Sequence, residues 1–365
     1  MEISSLNLNI LRLKFIDTIG NQTIRKIIDS TAASELRELK LEDYSSLLTP
    51  KQKEAVINSP REKNETNINL IRSKLEKNEF KLLNIWDADY PEALKQIYDA
   101  PVLLFVKGNL DYNYKRSIGI VGTRRFTNYG EKQCREFVKA FGNIKMTIVS
   151  GLAYGIDSIA HLEALKVGSK CIAVIGSGFD FFYPPRNQKL FDQIVESGGA
   201  VITEYPPNFV ALPQNFPARN RIIAGLSRST FVVEAAVKSG SLITAKFAFD
   251  EGRDVFALPA DITRKGSDGC NHLIKNGIAK LVMSPEDIFL EYDIGSKVTA
   301  KEINKIEFEN EEHEYIYKIL IEESFFSDEI AVKLDKQIEE LNPILTEMEL
   351  YGLIKKEVDG RWIVE

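Results

Sequence analysis

From Ser117 to Pro259 buried-looking apolar strands alternate with amphipathic helices, and nearly every strand ends in a glycine- or serine-rich turn. The first turn follows Ser117-Ile-Gly-Ile-Val-Gly122 and continues through Thr123, Arg124 and Arg125; the second opens at Ser150-Gly151; the third is Gly176-Ser-Gly178. Strand-like segments recur at 117–121, 146–150, 170–175, 199–203, 229–234, 254–258 and 279–283, with helix-period segments between them. That βαβ alternation predicts a doubly wound, mostly parallel α/β sheet. Such sheets bind ligands beyond the carboxyl ends of their strands, where all these turns lie. Turns of this kind expose backbone N–H groups to anions, so three on one sheet edge point to a polyanion.

The flanks read differently. Residues 1–75 carry helix-period apolar positions such as Leu11, Phe15 and Ile19, then Ile24, Ile27 and Ile28, and predict a small helical domain, SAM-like or a helical hairpin. Two short strands, around Leu82 and around Val102 to Gly108, lead into the main sheet, giving a central domain over 76–294. A polar, acidic stretch at 295–312 reads as a linker. Residues 313–365 read as three helices, the second capped by Ser327, and a hairpin turning at Asp359-Gly360, which is a winged-helix pattern.

Charge sharpens this division. The chain of 365 residues has a net charge of −6, yet residues 301–365 hold 8 basic against 18 acidic residues, a balance of −10 that leaves +4 on residues 1–300. The third helix of the terminal segment carries Glu339, Glu340, Glu347 and Glu349, so phosphate repulsion argues against its reading duplex DNA and favours a protein-contact or regulatory role. No apolar run approaches a membrane span, and the N-terminus lacks signal-peptide features. Cys134, Cys171 and Cys270 are isolated, as buried free thiols would be, and the chain is expected in the cytoplasm.

Gly119-Ile-Val-Gly122 has the wrong spacing for a dinucleotide fingerprint, and a Walker lysine motif is missing, so neither NAD nor ATP is expected. Gly122, Thr123 and Arg124 combine backbone donors, a hydroxyl and a guanidinium suited to phosphate; Ser150 and Gly151 offer a second cradle. Phe216 precedes Pro217 and is expected in extended backbone on a loop, as a platform for an unpaired base or as a plug beneath the loop. Arg219, Asn220 and Arg221 follow at a helix start, and Ser239, Gly240 and Ser241 join a strand to a helix that bears Lys246. Glu234 reads as a hydrogen-bonding brace and Asp157 with His161 as an internal capping or packing pair. No nucleophile, metal cluster or carboxylate pair stands out, so no catalysis, metal or cofactor is expected.

Gly122-Thr-Arg124, Ser150-Gly-Leu-Ala-Tyr-Gly-Ile-Asp157, the run from Gly178 to Asn187, Phe216-Pro-Ala-Arg-Asn-Arg221 and Ser239-Gly-Ser-Leu-Ile-Thr244, in that order, resemble the DNA-processing protein DprA (Smf) family. The motifs cover about 80–290, and the flanks match the longer family architecture. The resemblance implies an extended Rossmann domain that binds single-stranded DNA, protects it and hands it to the RecA recombinase in natural transformation, without catalysis. It assigns the strand-end arginine to Arg124, the stacking aromatic to Phe216 and the basic helix start to Arg219 with Arg221. Where some members have a lysine before that aromatic, this chain has Pro213, Gln214 and Asn215, so one phosphate contact is either lost or taken over by Lys246 or Arg186. It also implies a homodimer, for which the segment holding His272, Ile274 and Leu281 at the end of the sheet is the expected surface. The competing reading is a nucleotide-processing hydrolase of the lysine-decarboxylase-like fold, whose Pro-Gly-Gly-x-Gly-Thr-x-x-Glu motif is replaced here by Lys238 to Ala245.

Overall fold

The structure, a computed structural model, describes residues 3–16, 18–31, 39–264, 266–292, 311–322, 324–356 and 360–364. Its contacts divide the chain into two compact units, Met1–Tyr292 and Asp293–Glu365. Most of the segment 295–312, read as a linker, lies outside the described residues, as does Asp359 of the hairpin turn.

The first unit is built on a nine-stranded sheet: β1 (Lys81–Asn84), β2 (Leu103–Gly108), β3 (Ser117–Val121), β4 (Thr147–Ser150), β5 (Cys171–Val174), β6 (Ala200–Thr203), β7 (Ser229–Val232), β8 (Asp254–Ala257) and β9 (Lys280–Leu281). Their spatial order is β1-β2-β6-β5-β4-β3-β7-β8-β9. From β6 to β9 every pairing is parallel, while β2 joins β6 and β1 joins β2 antiparallel. The strand order reverses between β3 and β7, so the ligand crevice of an open α/β sheet belongs beyond the ends of those two strands. β3 through β7 are buried at every position, which is why they read as unbroken runs of Ile, Val and Ala rather than as alternating patterns.

In chain order α1 (Ser5–Lys14), α2 (Asn21–Ser30), α3 (Leu41–Tyr44), α4 (Pro50–Ile57) and α5 (Arg61–Glu76) precede the first strand, and α6 (Glu92–Lys95), α7 (Asn128–Asn143), α8 (Ile156–Lys166), α9 (Gln188–Glu196), α10 (Asn215–Leu226), α11 (Ser241–Asp250), α12 (Asp268–Lys275) and α13 (Pro285–Glu291) follow it. One continuous core joins Leu94 of α6, Val121 and Val149 of the sheet, and Ile222 of α10. Each removes apolar area from water at roughly 25 cal/mol per Å². All three cysteines are buried and unpaired, and burial raises each thiol pKa. No described helix is long and apolar enough to cross a membrane.

The second unit contains helices Glu311–Glu322, Ser327–Leu334 and Ile338–Leu350 and the antiparallel strands Ile354–Lys356 and Trp362–Val364. Ile316, Leu320, Ile330, Leu341, Leu345, Met348 and Trp362 form its core. Ser327 is the first helical residue rather than the cap. Its hydroxyl accepts from the Trp362 indole (3.0 Å), and the Glu329 carboxylate instead accepts the N–H of Phe326 (2.8 Å).

Candidate nucleic-acid interface

A crevice of about 600 Å³ opens at the switch point, walled by Gly122 and Arg124 after β3, by Phe216, Arg219 and Asn220 of α10, and by Ser239, Gly240 and Ser241 at the start of α11. Sequence-expected residues from three separate segments therefore meet in one cavity. Gly155 makes the first wall possible: it sits at φ +85°, and a Cβ there would collide with the Thr123 carbonyl and the Arg124 backbone. The start of α8 consequently seats directly against the Arg124 turn, and the Ile156 N–H donates to the Thr123 carbonyl (3.2 Å).

Arg124 is exposed, and its guanidinium stands 5.8 Å from the centre of the Phe216 ring. Phe216 meets Tyr183 edge-on at 5.8 Å between ring centres. Two aromatic faces and a guanidinium thus share one rim, a geometry suited to stacking an unpaired base beside a phosphate. Phe216 is not in an extended loop. It is the second residue of α10, half-buried, because Pro217 falls in the first helical turn, where its missing N–H has no helical partner to lose. Tyr183 was not singled out from the sequence; the available signal was its place in Tyr183-Pro184-Pro185, which turns an aromatic outward on a rigid loop. Asn187 fastens that loop, donating to the Leu152 carbonyl (2.9 Å) and the Ser158 hydroxyl (2.8 Å).

The floor is held by Arg219. This buried guanidinium donates to the carbonyl of Gly151 (2.6 Å) and to that of Val174, tying together the turns after β4 and β5. Burial pushes its pKa down to about 10, against the pull of Asp157. Gly151 must be glycine here, since a Cβ would strike both Asp157 and Arg219. Asp157 accepts the Gly151 N–H (3.1 Å); burial raises its pKa, opposed by Arg219 and by the N–H groups of Ala153 and Gly151. His161 is wholly buried and held neutral, its pKa driven by burial down to about 3. Both residues are buried, but Asp157 serves the turn after β4 rather than His161.

Several expected residues sit elsewhere. Arg221 is buried in a bidentate pair with Glu204 (2.6 and 2.9 Å), and its Nε donates to the Asp99 carboxylate (3.0 Å) and carbonyl (2.8 Å). Lys14 of α1 lies 3.8 Å from the same Glu204. Burial works to lower the Arg221 pKa and to raise that of Glu204, and the pair overcomes it in both. Arg221 therefore braces α10 and does not wall the crevice. Ser150 is buried and donates to the Ile120 carbonyl (2.6 Å); Thr123 uses its N–H on the Glu234 carbonyl (2.7 Å) and its hydroxyl to accept from Arg125 (3.1 Å). Gly151 faces a small recess shared with Arg124, Tyr183 and Phe216, and Lys246 is exposed on α11 outside the crevice lining.

The α11 end is open. Ser239 and Ser241 hydroxyls lie 2.7 Å apart, Asn220 donates to the Gly240 carbonyl (3.1 Å), and a Cβ on Gly240 would meet only open space. The helix thus presents its positive dipole end to the crevice. Glu234 has no such freedom: its carboxylate accepts from the Thr127 N–H (2.9 Å) and hydroxyl (3.2 Å) and from the Ser267 hydroxyl (2.9 Å). Among the described residues no cluster of His, Cys, Asp or Glu could hold a metal.

A mostly parallel sheet with an arginine, an aromatic rim and a helix N-terminus gathered at its switch point defines a Rossmann-like α/β protein whose crevice lies beyond the strand ends. A sequence profile for "DNA recombination-mediator protein A" matches residues 81–293, more than half of the chain, and the chain belongs to that family. It is 50% identical over 214 residues to DNA processing protein DprA of Streptococcus pneumoniae, covering 59% of this chain and 75% of that protein. Protein Smf of Escherichia coli is 45% identical over 206 residues, and the match spans 56% of this chain and only 55% of that relative's length. The crystal structure of the pneumococcal protein superposes with a TM-score of 0.66 at 39% identity, covering 80% of this chain and 99% of that one. DNA processing protein A of Helicobacter pylori, described for its single-stranded DNA binding mode, gives a TM-score of 0.52 at 29% identity over 58% of this chain and 95% of its own.

Proposed function

We propose that this chain is a non-catalytic single-stranded DNA-binding protein that protects incoming strands and loads RecA recombinase onto them in natural transformation or recombination. The observation that carries the reading is the crevice rim, where Arg124, Phe216 and Tyr183 stand together beside the open start of α11. Turn amides and arginine take the backbone, aromatic faces take bases, and little in the set reads sequence. The Helicobacter relative's single-stranded DNA binding supports the ligand class. A hydrolase would need a carboxylate free to act, whereas Glu234 is engaged on both oxygens.

The flanking segments enter on the same footing. The helices within residues 1–75 form a SAM-like module against the central 76–294 domain, and 313–365 a winged helix whose acidic third helix serves protein contact. The chain acts as a homodimer through the β9 edge. There His272 and Leu281 are exposed, while Ile274 is partly buried against the core. The three unpaired thiols fit the reducing cytoplasm. Fluorescence anisotropy with labelled oligo-thymidine and a matched duplex tests the central point: tight, salt-sensitive binding of the single strand alone is expected. Equal affinity for duplex, or none for either, would overturn it.

A further inference from the structure

A second cavity, of about 610 Å³, lies on the other side of the loop that walls the crevice. Between Val210 and Pro213 successive residues face alternate cavities: Ala211 and Pro213 line the crevice, Val210 and Leu212 the second groove. That alternation is the geometry of an extended chain, so the partition is one backbone thick. The opposite wall comes from the junction of α4 and α5, including Asn58, Pro60, Lys63 and Asn64.

From this we infer that the groove is a second subsite for the same single strand, which crosses the Val210–Pro213 partition and places further bases against the N-terminal helices. The inference rests on the crevice being a single-strand site. Apolar faces from Phe15, Val210 and Leu212 alternate with side-chain amides, and Lys63 is the cation among the lining residues. Unstacked bases need this mixture: flat apolar walls for their faces and amides for their edges, with sparse charge for the backbone. The amides have capacity left. Asn67 accepts from Asn208 (2.9 Å) and Asn64 donates to Ser59 (2.8 Å), so the Asn67 amide nitrogen and the Asn64 amide oxygen have no side-chain partner among the described residues. Phe209, stacked on Tyr205 with ring centres 4.9 Å apart, stiffens the loop beneath. Val210 is 54% exposed, so its side chain is available to a ligand without unpacking the core.

The test compares thymidine oligomers of about 6 and about 20 nucleotides, the shorter sized for the crevice alone. Val210→Asp and Lys63→Glu, one on each wall, should leave binding of the short oligomer unchanged and weaken the long one about tenfold each, one lost base or phosphate contact apiece. Arg124→Ala should weaken both lengths. If Arg124→Ala has no effect at either length, the crevice reading itself fails. If it weakens both while the groove variants bind the long oligomer like the parent, the groove is not a subsite, and the length dependence comes from two crevices in a dimer. A long strand with single 5-iodouracil substitutions, photocrosslinked to the unaltered protein, gives an answer free of folding effects. Adducts on Phe209 or Phe15 are expected at positions beyond those that label Tyr183 or Phe216, and labelling confined to the latter pair would overturn the inference.

Discussion

Replacing Phe216 with alanine removes the ring that Tyr183 meets edge-on and over which the Arg124 guanidinium stands, each at 5.8 Å. Loss of one base stack is worth about 1–3 kcal/mol. The exposed guanidinium loses a cation–π anchor of about 0.5–1 kcal/mol. Together these weaken oligo-thymidine binding about tenfold to several hundredfold. The ring is half-buried, so the cost in stability falls below the ~3–5 kcal/mol of a fully buried phenylalanine, and the protein stays folded at room temperature. Phe216→Trp keeps a stacking face and should bind like the parent. Anisotropy titrations across salt concentrations separate the terms, because a stacking loss shifts affinity without changing the slope against log salt. A double-mutant cycle with Tyr183→Ala should show coupling above about 0.5 kcal/mol if one base touches both rings. Affinity within a factor of about two of the parent, with a clear fall in melting temperature, would show that the ring is only packing.

Two arginines of the family motifs, Arg124 and Arg221, should part company. Arg124→Ala lowers the salt slope by about 0.7 with the fold intact, whereas Arg221→Met leaves Glu204 buried without its partner and costs about 3–5 kcal/mol of stability with no change in slope. Acid stability reports on His161: its pKa is 6.5 in the unfolded chain and about 3 in the fold, so the unfolded state binds more protons between those values. Stability is full above about pH 6.5 and drains away as pH falls toward 3; Glu204, also depressed, adds to the loss below its ordinary 4.5. Urea unfolding from pH 7 to 4 should show this slope, and His161→Phe should flatten it. Leu281→Glu, on the exposed sheet edge, should halve the mass seen by light scattering; an unchanged mass removes β9 from the interface, while Ile274 is a poor probe because it also packs on the core.

The parallel sheet was legible because strands buried on both faces read as runs of Ile, Val and Ala, and because a glycine turn closes several of them. Those turns bring Gly122, Arg124 and Ser239 to Ser241 to one crevice. What escaped the sequence is partner choice. Arg219 and Arg221 look alike at a helix start, but a two-residue step on a helix turns them about 200° apart, so one meets the carbonyls of Gly151 and Val174 and the other meets Glu204. Glu204 itself, with Lys14 and Asp99, comes from segments whose convergence no local pattern encodes. Phe216 was misplaced because a residue before proline is usually extended, a rule that the first turn of a helix relaxes. Tyr183 depends on a long-range approach to Phe216 for any visible role.

The Arg219 guanidinium has a further consequence. Surface arginines bind phosphate by releasing condensed counterions, and their contribution fades as salt rises. A cation walled in by backbone carbonyls gathers no such atmosphere, and mobile ions screen it poorly. Beneath the exposed Arg124 the crevice floor therefore keeps a guanidinium that is answered inside the fold, by Asp157 and by the carbonyls of Gly151 and Val174, as part of the fold's own wiring that ionic strength reaches poorly.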